Sequence, residues 1–247
     1  MELGFALATV LGAGPALLTL YYVLREYQGG WVDQKLFICL AVGMILGVVG
    51  FFFHAMLDNV VYSNFAIAFL VYVLGFAALE NLMPFAVLNF KWLRGKPDAT
   101  FYGVSLGAGF AASGAMAFVY RAASVGVDFI GAFGLASLII ISFATIFLRI
   151  ACGAMVGAGA ARSEPWGWFL KAVLVQMPYS FLFMGLLVSA GPYTPVWVWV
   201  PLSLAMLGYT YFLLYYVRRR VLPEHLPGGL KKKMRRDRRQ RGRAVGR

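Results

Sequence analysis

The chain has 247 residues, of which 61% are hydrophobic and 13% are charged, and its mean hydropathy is +0.76. This composition excludes an ordinary soluble domain and is typical of a polytopic membrane protein. The formal net charge of +12 is concentrated near the C-terminal end, because 13 of the 22 Lys and Arg residues follow Val217.

Seven apolar stretches reach the roughly 20 residues that an α-helix needs to cross a bilayer. They are residues 3 to 24, 36 to 57, 64 to 90, 101 to 120, 129 to 161, 168 to 190 and 194 to 217. The sequence therefore predicts an all-α, polytopic membrane protein with seven transmembrane helices.

Basic residues between the stretches indicate the orientation, because Lys and Arg mark cytoplasmic loops. With the N-terminus outside, the predicted inner loops contain Arg25, Lys35, Lys91, Arg94, Lys96 and Arg162. The predicted outer loops contain Arg121 alone. We therefore predict an integral protein of the cell (cytoplasmic) membrane, with the N-terminus outside and the C-terminus in the cytoplasm.

Glu80 is a lone carboxylate in the third stretch, and it is the candidate catalytic residue. An ionisable group at mid-membrane is costly, and such groups usually face the interior of a bundle, where they are paired or functional. Pro84 lies four residues later and has no N–H, so the backbone carbonyl of Glu80 loses its helical partner. A free backbone acceptor is therefore expected beside the carboxylate.

The fifth stretch contains a second unusual charge, Arg149, on a helical stripe that we expect to face protein rather than lipid. The other members of the stripe are Ser142, Thr145 and Cys152. Counted from the cytoplasmic ends of their helices, Glu80 and Arg149 lie within about one turn of the same depth, so we expect them to meet. The predicted polar pocket consists of Glu80, Asn81, Arg149, Gln176 and Ser180.

Two interpretations of these polar residues stay open. The functional one is a pocket that opens toward the cytoplasm, since intramembrane charges are often functional. The structural one is a buried ion pair with hydrogen-bonding neighbours that fixes how the helices pack.

The sequence offers little sign of a metal or other cofactor, and none is expected. His54 lies near the outer end of the second stretch, with Asp58 one turn later, and is interpreted as an interfacial histidine. No other histidine lies in a predicted span, whereas a catalytic zinc normally needs three protein ligands. Cys39 and Cys152 lie in separate spans and lack a metal-type spacing.

Small residues recur at four-residue spacing in three predicted helices. They are Gly43 and Gly47, then Gly103, Gly107 and Ala111, then Gly153 and Gly157. This spacing lets helix backbones approach closely. Packing within one bundle is the preferred interpretation, and a homodimer contact is the alternative.

The chain divides into a membrane domain, residues 1 to 217, and a basic cytoplasmic tail, residues 218 to 247. Prolines and glycines in VLPEHLPGG (221 to 229) predict the end of any helix continuing from the seventh span. The following run KKKMRRDRRQRGR has no apolar face and is expected to be disordered in isolation. The tail is interpreted as an anchor that binds anionic lipid headgroups, with contact to the ribosome or other RNA as the alternative.

Three segments of the first half of the chain resemble the PrsW family of intramembrane proteases, which belongs with the CAAX-processing and bacteriocin-processing membrane proteases. The segments are GAGPALLTLYYVLREYQGGWVDQKLFICLAVGMILG (12 to 47), GFAALENLMPFAVLNF (75 to 90) and FYGVSLGAGFAASGAMAFVY (101 to 120). The second occupies the place of the E-E-x-x-K helix of the family, and the third is similar to its Y-G-x-x-x-x-x-G-F-A-x-x-E-N helix. The resemblance implies a helical membrane scaffold and glutamate-dependent proteolysis.

Most residues that the family motifs require are replaced in this chain. The E-E-x-x-K motif falls on Leu79, Glu80 and Met83, and the later glutamate and asparagine fall on Gly114 and Ala115. The sixth-span H-x-x-x-D/N motif falls on Gln176 and Ser180, and the fifth-span histidine has no counterpart. Within the resemblance, Glu80 is the one motif glutamate that is kept.

These replacements predict a catalytically inactive pseudoprotease that binds a membrane segment or a partner protein. A single glutamate beside an arginine is stabilised in its ionised form, so it is a weak base for activating water. The first alternative is an active intramembrane protease that cleaves membrane-anchored proteins through Glu80. The second is a channel or small-molecule transporter with its gate at Glu80 and Arg149.

Overall fold

The computed structural model describes residues 2–61, 70–124, 127–189 and 198–226. Within these ranges the chain forms helices joined by turns, and no described residue belongs to a strand. Six of the described helices are long and apolar enough to cross a membrane. The chain is therefore a polytopic helical membrane protein, as its composition predicts.

Six long helices and one shorter helix make up the described bundle. In chain order they are α1 (Glu2–Leu24), α2 (Asp33–Val61), α3 (Ala77–Leu88), α4 (Ala99–Ser124), α5 (Val127–Arg162), α6 (Pro165–Ser189) and α7 (Trp199–Tyr216). A 3₁₀ turn, Arg25–Tyr27, follows α1.

The shorter helix, α3, corresponds to the predicted third span. A π-helical turn, Val71–Phe76, leads directly into it, and Pro84 lies inside it without ending it. The apolar segment Val73–Leu88 is shorter than the six candidate spans. The predicted span began at residue 64, and residues 62–69 lie outside the described ranges. A π-helical turn changes which side chains of the next turns face the bundle, and such turns are frequent at functional sites.

Small residues place α4 at the centre of the bundle, where it is the most buried of the six candidate spans. A Cβ atom on Gly103 would overlap the backbone of Gly153 in α5, and a Cβ atom on Gly43 in α2 would overlap the carbonyl of Leu106. Ser105 in α4 donates a hydrogen bond to the carbonyl of Leu36 in α2 at 2.7 Å. The predicted small-residue spacings therefore pack helices of the same chain against each other.

The segments that follow α1, α3, α5 and α7 meet at one end of the bundle. The Gly95 N–H after α3 donates to the carbonyl of Ala160 near the end of α5 at 2.9 Å. Arg162, the last residue of α5, forms an ion pair with Glu224 beyond α7. We call this the basic end, because it contains the basic residues of all four segments.

The last helix continues past the predicted domain boundary at residue 217. A π-helical turn, Val217–Val221, and a final turn, Leu222–Glu224, extend α7. Leu222 and Leu226 are buried, so these residues pack as part of the membrane domain. The helix ends inside the predicted break at 221 to 229, and residues 227–247 lie outside the described ranges.

Candidate functional site

Four helices contribute polar side chains to one buried cluster, which we call the Glu80 cluster. Its members are His54 from α2, Glu80 and Asn81 from α3, Arg149 from α5 and Gln176 from α6. These polar groups are partners for one another inside the bundle, where burying a polar group without a hydrogen bond is costly.

The carboxylate of Glu80 accepts from three of the other members. Its Oε2 atom forms an ion pair with Arg149 Nη2 and accepts a hydrogen bond from Gln176 Nε2 at 2.5 Å. Its Oε1 atom lies 3.0 Å from His54 Nε2. The Glu80 side chain is 5% exposed, so these groups replace water as its partners.

The side-chain amide of Gln176 joins the other members to each other. Its Oε1 atom accepts a hydrogen bond from Asn81 Nδ2 at 2.7 Å and another from Arg149 Nη1 at 3.1 Å. Asn81 Nδ2 also donates to the backbone carbonyl of Ala77 at 2.8 Å. Because Gln176 accepts from two donors and donates to Glu80, its amide has one orientation that suits all three contacts.

Aromatic rings pack against the charged groups of the cluster. The guanidinium carbon of Arg149 lies 5.0 Å from the ring centroid of Phe110 in α4. The ring of His54 stacks on Phe76 with 3.7 Å between centroids and 4° between planes. These contacts give the cation a favourable ring face and limit the freedom of the histidine.

The predicted meeting of Glu80 and Arg149 is confirmed, and Asn81 and Gln176 join them. Ser180 is buried one turn beyond Gln176 in α6, but the contacts of the Glu80 cluster do not include it. The predicted stripe on α5 faces protein. Thr145 shares a hydrogen bond of 2.7 Å with the hydroxyl of Tyr179, and Cys152 is buried.

The sequence did not predict the contacts of His54 with Glu80 and Phe76, because His54 was interpreted as an interfacial histidine near the outer end of its span. Counting along the helices did not place His54 and Glu80 at one level. His54 is about six turns after Asp33, the start of α2, whereas Glu80 is only about two turns before Leu88, the end of α3. The available signal was a histidine within the apolar run of α2 between Lys35 and Asp58. The neighbouring Asp58 lies outside the described side chains.

Four of the positions that the family resemblance assigns to motif residues hold an apolar side chain or glycine, namely Leu79, Met83, Gly114 and Ala115. Leu79 and Met83 are half-buried, and Ala115 is buried. A Cβ atom on Gly114 would meet nothing within 4 Å. Packing therefore does not require glycine at position 114.

The arrangement neutralises the Glu80 carboxylate and gives each of its oxygens a donor. An acid or base in catalysis needs a reacting proton within hydrogen-bond reach, and a carboxylate paired with an arginine is a weak acceptor for it. Among the described residues, no three His, Cys, Asp or Glu side chains form a group able to hold a metal ion.

Comparison of the chain with family models, with curated proteins and with solved structures gives no match. The resemblance to the PrsW family therefore stays a prediction from three sequence segments.

Proposed function

We propose that this protein is a catalytically inactive, PrsW-like membrane protein that binds a membrane segment or a partner protein. In this proposal the Glu80 cluster has a structural role, because it holds the helices that form the binding surface in fixed positions. The protein resides in the cell membrane.

The observation that carries the proposal is the engagement of both carboxylate oxygens of Glu80. Arg149 and Gln176 contact one oxygen, and His54 contacts the other. A glutamate that activates water must present a free lone pair to that water. Three of the about four lone-pair positions of the Glu80 carboxylate are occupied, and the side chain is 5% exposed, so the site leaves little access for water.

The place where the cluster approaches the outside of the bundle suggests where a partner binds. The His54 side chain is 28% exposed, whereas that of Glu80 is 5% exposed. His54 belongs to α2, which is the least buried of the six candidate spans and carries exposed apolar side chains. A membrane segment that lies along α2 would therefore contact the cluster at His54.

The proposed topology has seven spans, with the N-terminus outside and the basic end in the cytoplasm. The support for this topology is that the segments after α1, α3, α5 and α7 lie at one end of the bundle. The odd-numbered helices therefore run toward that end and the even-numbered helices run away from it. If α3 crosses the bilayer, the chain crosses it seven times. Basic residues at that end favour the cytoplasmic side.

A cleavage assay tests the absence of catalysis. Purified protein in detergent is incubated with membrane-spanning peptides, beside an active intramembrane protease as positive control and the variant Glu80→Gln. We expect the wild-type protein and the variant to give the same background cleavage. Cleavage that Glu80→Gln abolishes would contradict the proposal, and so would solute flux in proteoliposomes that the same change abolishes.

A crosslinking experiment tests the binding surface. A photoreactive residue replaces Phe52, which is exposed on α2, and in a separate variant it replaces Leu204, which is exposed on α7. We expect a discrete crosslinked protein from position 52 and none from position 204. Equal crosslinking from both positions would argue against a partner on α2.

A further inference from the structure

Arg218, in the turn that extends α7, contacts residues at the end of α1, at the basic end of the bundle. Its Nη2 atom forms an ion pair with Glu26, and its guanidinium carbon lies 4.0 Å from the ring centroid of Tyr22. Its backbone carbonyl accepts a hydrogen bond from the hydroxyl of Tyr27 at 2.5 Å. Arg218 is therefore a fixed part of the folded domain.

A second arginine lies against the same ring. The guanidinium carbon of Arg25 is 5.0 Å from the centroid of Tyr22, and the Arg25 side chain is exposed. Arg219 and Arg220 follow Arg218 and are also exposed. The guanidinium carbon of Arg219 lies 5.5 Å from the ring centroid of Tyr215, and among the described residues Glu26 is the acid that pairs with Arg218.

Tyrosine side chains show the depth of this corner in the membrane. Tyr21 on α1 is 65% exposed and Tyr215 on α7 is 51% exposed, and Tyr216 is exposed beside it. Exposed tyrosines concentrate at the level of the lipid headgroups, because the ring is apolar and the hydroxyl is polar. We therefore expect the arginines beside them at the level of the lipid phosphates.

We propose that Arg25 and Arg218, which both lie against the ring of Tyr22, form a binding site for the headgroup phosphate of an anionic phospholipid. A guanidinium group matches the geometry of phosphate oxygens, and an excess of positive charge at headgroup depth favours an anionic lipid over a zwitterionic one.

This site differs from the general attraction of the basic tail to a membrane. It is built from residues that fixed contacts hold in the folded domain, whereas residues 227–247 lie outside the described ranges. It also does not depend on the role of the Glu80 cluster, so the two proposals stand or fall separately.

Native mass spectrometry of the full-length protein tests the site. Delipidated protein in detergent is titrated with phosphatidylglycerol and, separately, with phosphatidylcholine. We expect tighter retention of phosphatidylglycerol, and we expect Arg25→Gln to weaken its binding about fivefold, since one arginine near an anionic lipid contributes about 1 kcal/mol. The control Arg94→Gln changes the charge equally at an exposed position of the same end and should leave binding unchanged.

Three results would overturn the proposal. Equal retention of the two lipids would exclude recognition of the anionic headgroup. Equal weakening by Arg25→Gln and Arg94→Gln would mean that total charge, rather than this site, attracts the lipid. Complete displacement of the lipid by millimolar inorganic phosphate would identify a site for free anions. Thermal unfolding of both variants checks that each remains folded.

Discussion

The carboxylate of Glu80 in α3 forms an ion pair with the guanidinium of Arg149 in α5, inside a bundle whose outer surface is apolar. The pair leaves neither charge alone in a medium of low dielectric constant, where an isolated charge is expensive. Gln176 contacts both partners and so links α6 to the same pair.

Removing one partner of this pair should destabilise the protein more than removing both. Arg149→Leu leaves the Glu80 carboxylate buried without its cation, and we expect a loss of about 3–5 kcal/mol in unfolding free energy. The double variant Glu80→Leu with Arg149→Leu removes both charges, so it should be more stable than Arg149→Leu alone. Unfolding in detergent by heat or by added denaturing detergent measures both. A double variant as unstable as the sum of its single variants would argue against a coupled pair.

Replacing His54 should separate its hydrogen bond from its stacking. His54→Phe keeps a ring against Phe76 but loses the contact with Glu80, and we expect a loss of about 1 kcal/mol in unfolding free energy. His54→Ala loses both contacts and should cost more. Phe52→Leu, at an exposed position two residues earlier, is the control and should have little effect. If His54→Phe matched this control, the contact with Glu80 would contribute nothing to stability.

Two glycines of α4 should respond in opposite directions to alanine. A Cβ atom on Gly103 would overlap the backbone of Gly153, so Gly103→Ala should force α4 and α5 apart and cost about 1–3 kcal/mol. A Cβ atom on Gly114 meets nothing within 4 Å, so Gly114→Ala should be neutral or stabilising by up to about 1 kcal/mol through helix propensity. The thermal midpoints of the two variants measure the difference. Equal midpoints would mean that close contact of α4 and α5 is not needed.

The proposed topology predicts labelling of Arg94→Cys and Arg121→Cys from opposite sides of the membrane. A membrane-impermeant maleimide should react with position 121 in spheroplasts, and with position 94 only after the membrane is opened. Cys39 and Cys152 are buried and should give a low background. Labelling of both introduced cysteines from one side would contradict a seven-span arrangement.

The pairing of Glu80 with Arg149 could be predicted because both residues are rare in apolar helices and lie at similar counts from the ends of their helices. The sequence also predicted that Gln176 belongs to the pocket. It did not predict that the Gln176 amide both donates to Glu80 and accepts from Asn81 and Arg149. An amide does not reveal its partners in a sequence, because it can donate, accept or do both.

The contact of His54 with Glu80 was missed for a geometric reason. Residue counts give equal depth only if helices start at the same level and run parallel. About six turns along α2 and about two turns along α3 differ by roughly 20 Å, so at least one of these conditions fails here. The π-helical turn before α3 also changes which side chains of α3 point into the bundle, and the spacing of apolar residues does not reveal this change.

By itself, the sequence determined the helical class, the membrane environment, the small-residue spacings and the pairing of Glu80 with Arg149. These follow from local or compositional properties: apolar length, helical spacing and the cost of a lone charge in lipid. The tertiary structure alone decided that His54 completes the Glu80 cluster and that Arg218 belongs to the folded domain. Both depend on contacts between residues that are far apart in the chain. His54 and Glu80 are 26 positions apart, and Arg218 and Glu26 are 192 positions apart. The relative levels and angles of packed helices determine such contacts.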